Sequence, residues 1–112
     1  MTELERIGIE IEKGVFSLIT PLQAERIANR AAFEKVDQLS RQLAVMLKGS
    51  DLLPRKPLQQ IEMAAGILEN EAPYAKSPEV LAEMATALRY TFALILLGEC
   101  HDDRKPGVMR IF

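Results

Sequence analysis

Ala28, Ala32, Val36, Leu39, Leu43 and Met46 recur at spacings of three and four. That spacing draws one apolar stripe down an α-helix and has no counterpart in a strand, where like residues recur every second position. Arg26, Arg30, Asp37 and Arg41 fall on the opposite side, with Asp37 four residues before Arg41, the separation of an exposed helical ion pair. The spacing predicts one continuous helix from Pro21 to Lys48, closed by Gly49. A long helix with a single apolar face must be covered by other elements, so the rest of the chain has to supply partners for it.

Proline marks where those partners begin. Thr20-Pro21-Leu22-Gln23 has a capping residue, proline at the first helical position and glutamine where a capping box wants it. Ser77-Pro78-Glu79 repeats that grammar, and Lys56-Pro57 is a poorer version of it. A third helix is expected from Pro57 to Asn70, with Leu58, Ile61, Ala65 and Leu68 inward, Met63 and Ile67 widening the face, and Pro73 stopping it. A fourth runs from Pro78 to Leu97, amphipathic through Leu81, Met84 and Leu88 and then apolar on every side from Phe92 to Leu97. An end of that kind implies a helix surrounded by protein, at the centre of the fold, with Gly98 as terminator. In the linker from Ser50 to Lys56, Leu52 and Leu53 are expected to tuck under the bundle.

The first segment reads two ways. Leu4, Ile7, Ile11, Val15 and Leu18 make a helical stripe behind a Thr2/Glu5 cap. Ile7, Ile9 and Ile11 also alternate with Gly8, Glu10 and Glu12, and Lys13-Gly14 could turn a hairpin. An isolated hairpin is marginal in water, so helix is favoured, although each glycine costs a helix about 1 kcal/mol. The expected fold is a small all-α, antiparallel four-helix bundle over residues 1–112, with a packed C-terminal tail. The alternative is an α+β fold carrying a short N-terminal β-hairpin. In the tail, Lys105-Pro106-Gly107 suits a type II turn and Val108, Met109, Ile111 and Phe112 suit packing across the bundle.

A chain of 112 residues is one domain, able to bury about two-thirds of its unfolded surface without a disulfide or metal. No signal-peptide pattern opens it, and its longest apolar run, Phe92 to Leu97, falls far short of the ~18 residues of a membrane span. One cysteine suits a reducing compartment. The expectation is a cytoplasmic protein. Its formal charge of −2 argues against a nucleic-acid binder.

The reactive side chains are scarce. The single histidine and single cysteine are neighbours, in Cys100-His101-Asp102-Asp103. Adjacent side chains diverge, whereas a nucleophile and its base, or a set of zinc ligands, must converge. The segment is therefore expected to be a polar loop whose aspartates pair with Arg104 or Lys105, and neither metal nor cofactor is expected. A metal-dependent hydrolase built on this segment is the third-ranked function. No motif points to a family, and a helix-turn-helix is set aside because no turn interrupts the stretch from Gln23 to Ala44.

What remains is surface. Between Leu58 and Leu88 the acids are Glu62, Glu69, Glu71, Glu79 and Glu83, against the single base Lys76, a field suited to steering a basic partner. Phe33 beside Arg30 and Asp37, and Tyr74 in its loop, have the composition of interface anchors. The expected function is non-enzymatic partner binding, in the form of a small immunity or inhibitor protein that neutralises a toxin or other enzyme. A self-assembling homodimer is the alternative.

Overall fold

The computed structural model describes residues 1–104, so the expected turn at 105–107 and the tail beyond it lie outside the described residues. Four helices carry the fold: α1 Glu3–Glu25, α2 Arg30–Met46, α3 Arg55–Glu71 and α4 Pro78–Leu97. Two single 3-10 turns follow α3 and α4, at Ala72–Tyr74 and His101–Asp103. The chain is all-α, and no strand occurs among the described residues. The N-terminal segment is helix, not hairpin. Thr2 caps it by accepting the Glu5 N–H (3.1 Å), and Ile7, Ile11, Val15 and Leu18 are buried as the stripe requires.

The helices form two antiparallel hairpins laid side by side. α1 packs on α2 and α3 on α4, while α1 lies against α3 and α2 against α4. The Gly49 N–H donates to the Gly98 carbonyl (3.0 Å), which joins the C-terminal ends of α2 and α4. The turns 26–29 and 72–77 therefore sit together at the other end. The core between the hairpins includes Leu22, Val36, Leu43, Ile61, Leu68, Leu88 and Ile95.

The expected helix from Pro21 to Lys48 is two helices. Pro21 lies inside α1, and burial of Leu18, Ile19 and Leu22 carries the helix past it to Glu25. Neither Thr20 nor Gln23 is a cap. The break comes at Arg26, whose φ of 58° is left-handed and whose N–H returns to the Leu22 carbonyl (2.9 Å), while the Ile27 N–H bonds the Pro21 carbonyl (3.2 Å). Asn29 then caps α2 by accepting the Ala32 N–H (3.0 Å). An arginine occupies the position where glycine normally signals a stop, which is why the break is invisible in the apolar spacing.

α3 starts at Arg55 and takes Pro57 into its first turn, and α4 runs from Pro78 to Leu97 as expected. Gly98 ends α4 in a Schellman motif, with φ 74° and the Glu99 N–H bonded to the Leu94 carbonyl (2.9 Å). Ser77 makes no side-chain cap bond; its ψ of 77° falls short of the extended value that aims a hydroxyl at the first-turn amides.

The end of α4 is not enclosed. Leu96 and Leu97 are 58% and 63% exposed, and no helix is central because all four form a ring. Met46, Met63 and Leu52 also face outward, while Leu53 tucks inward and Ala44, Leu47 and Ala64 complete the core. By length and composition α4 could cross a membrane, with a mean hydropathy of 1.6 over a window that is 39% buried.

Candidate functional site

The turns at the open end of the hairpins enclose a groove of about 610 Å³. Glu25, Arg26, Ile27, Ala28 and Arg30 line it from the first hairpin, and Tyr74, Ala75, Lys76, Ser77, Val80 and Leu81 from the second. Its charge is set by Arg26, Arg30 and Lys76 against Glu25. The Arg26 guanidinium stands 5.3 Å from the Tyr74 ring centroid, a cation–π distance that ties the two turns together. Tyr74 is nevertheless 64% exposed, and Ile27 is exposed beside it. Such a surface offers an aromatic body, an oriented guanidinium and an apolar flank within one concavity.

Of the residues singled out from sequence, Arg30 and Tyr74 meet in this groove. Phe33 does not join them; it is half-buried against the core and widens it. Asp37 pairs with Arg41 (3.2 Å) as its spacing required. Sequence reasoning missed Ile27 and the groove itself, because both depend on a helix break that the apolar pattern conceals. It also missed Phe16, which stands outward on α1 at 71% exposure.

The acidic field is smaller than its sequence suggests. Arg89, just past the segment in which the charges were weighed, reaches from α4 to Glu62 (2.9 Å) and Glu69 (2.6 Å) on α3. Its guanidinium lies over Gly66, at an ordinary 4.0 Å from where a Cβ would stand. The same contact holds the Glu69 carboxyl below its usual range. That single positive charge engages two of the five acids and offsets one of them, with Glu71, Glu79 and Glu83 outside the cluster.

Cys100-His101-Asp102-Asp103 forms a capped 3-10 turn. Asp103 bonds Lys48 (2.7 Å) and the Cys100 N–H (2.9 Å), and Arg104 bonds Glu99 (2.9 Å). Asp103 thus pairs with Lys48 in the turn just past α2, and Arg104 with Glu99 rather than with an aspartate, while Lys105 lies outside the described residues. Among the described residues no cluster of three or more metal-ligating side chains occurs. His101 packs edge-on against Tyr90 (5.4 Å), and its Nε2 lies 3.3 Å from Thr91 Oγ1. Thr91 donates to the Ala87 carbonyl, so Nε2 is assigned the ring proton in this pair. Burial, then the Arg41 charge, lowers the ring's pKa.

No protein-family model, curated protein or solved structure matches this chain.

Proposed function

We propose that this chain is a non-enzymatic binding protein that acts by occupying a partner protein, in the manner of a cytoplasmic inhibitor or immunity protein for a toxin or other enzyme. The observation that supports the reading is the groove between the turns, where exposed Tyr74 lies beneath Arg26 beside exposed Ile27. Tyrosine and arginine dominate binding hot spots because both bury large area with few torsions and keep a polar edge. Replacing Tyr74 with a photo-crosslinking phenylalanine analogue in the native host tests it. A discrete adduct with one heterologous protein is expected, and that protein's activity should fall to zero at equimolar ratio. A chain that purifies alone at physiological salt and forms no adduct overturns the reading.

Self-assembly is the second reading. It is favoured by Val45 and Met46 at the end of α2 and Leu96 and Leu97 at the end of α4, all exposed at the end where Gly49 meets Gly98. Symmetric dimers commonly close over such apolar ends. A concentration-independent dimer in light scattering, lost in L97E, would support it over a heterologous partner.

A further inference from the structure

We infer that the groove receives an acidic segment of the partner, one bearing carboxylates around an apolar side chain. This deepens the reading above and rests on it. Arg26, Arg30 and Lys76 outnumber Glu25 around the concavity, so the local field has the opposite sign to that of the whole chain. Ile27 and Val80 supply apolar wall between those cations. The Tyr74 ring covers one face of the Arg26 guanidinium, which holds the fork in place and limits its hydration. A fork so held accepts a carboxylate in paired hydrogen bonds without first being ordered.

Arg26 itself separates binding from folding. Its φ of 58° is one that glycine adopts freely and an L side chain adopts at a cost. R26G exchanges the Tyr74 contact for a relaxed left-handed backbone and should therefore leave thermal stability close to wild type while removing the guanidinium from the groove.

The test is a titration of the whole chain, followed by amide chemical shifts. The probe is a blocked peptide of alternating glutamate and leucine, with its glutamine counterpart and inorganic phosphate as controls. Shifts are expected at Arg26, Ile27, Ala75 and Lys76, with affinity falling as salt rises. R26G and K76Q should each weaken binding about tenfold, as loss of a charge-assisted contact implies. The inference is overturned if the peptide gives no shifts at millimolar concentration. Shifts centred elsewhere, for example near Lys13 and Lys35, equally overturn it. So does equal binding by the glutamine peptide, or saturation of the groove by phosphate with no further change from peptide. A Tyr74 adduct with a partner whose contacting segment is basic would sink this inference and leave the binding function standing.

Discussion

Two side chains in the turn after α4 couple the protein's stability to pH. Burial, then the Arg41 charge, pulls the His101 pKa below 6.5, against weaker upward pulls from Asp37 and Asp102. The unfolded chain therefore takes up this proton at higher pH than the folded one. The contribution is complete above 6.5 and is lost as pH falls through the lower folded value. Asp103 behaves likewise in a more acidic window. Its bond to Lys48, then the Cys100 N–H, holds the carboxyl down to about 2, so its contribution is present above 3.8 and fades as pH approaches 2. Urea midpoints measured across pH should show both losses. H101Q is expected to remove the first and D103N the second, each leaving the other in place. A D103N profile identical to wild type between pH 4 and 2 would refute the Lys48 link.

At the scale of elements, glycine and arginine decide how helices meet. A Cβ built on Gly14 would stand 2.8 Å from Val36 Cγ2, so the missing side chain sets how closely α1 and α2 approach. At Gly8 the nearest atom is an ordinary 3.8 Å away, on Pro57. G8A is expected to stabilise by roughly 0.5–1 kcal/mol through helix propensity alone. G14A should instead destabilise by about 1–2 kcal/mol, overpacking outweighing propensity. Denaturant melts of the pair check this, and similar shifts in both would count against the close approach. Arg89 ties α3 to α4 at the surface, where ion pairs are worth little. R89Q is expected to cost under about 1 kcal/mol, with a smaller effect at high salt.

For the whole molecule, the glycine pair at 49 and 98 holds the two hairpins in register. Gly98 ends α4 at φ 74°, and its Cβ would meet Gly49 N at 3.5 Å. G98A is expected to lower stability by about 1–2 kcal/mol, a fall in melting temperature of roughly 4 °C or more. A melting temperature equal to wild type would mean that α4 ends without needing the left-handed turn. At the opposite end the hairpins are linked across the groove by the stacking of Arg26 on Tyr74. One end is therefore clasped through backbone and the other through side chains that a ligand can also touch.

Much of this was legible in the sequence. Helix class, the range of α4, its stop at Gly98, and the buried faces of α1 and α3 all follow from local spacing and capping chemistry, whereas α2 ends at Met46, short of the expected stop at Gly49. Those signals act within a few residues of their source. Three features could not be read that way. α1 continues through Pro21 because burial of Leu18, Ile19 and Leu22 together offsets the missing N–H and the ring's crowding of the preceding turn. Arg89 engages Glu62 and Glu69 across a helix interface and offsets one of their two charges, which no charge tally along the chain reveals. The groove exists only because two turns, nearly fifty residues apart, are brought to the same end of the bundle. Periodicity and caps determine what each segment becomes; which side chains share a surface is decided by how the hairpins dock, and that depends on contacts remote in sequence.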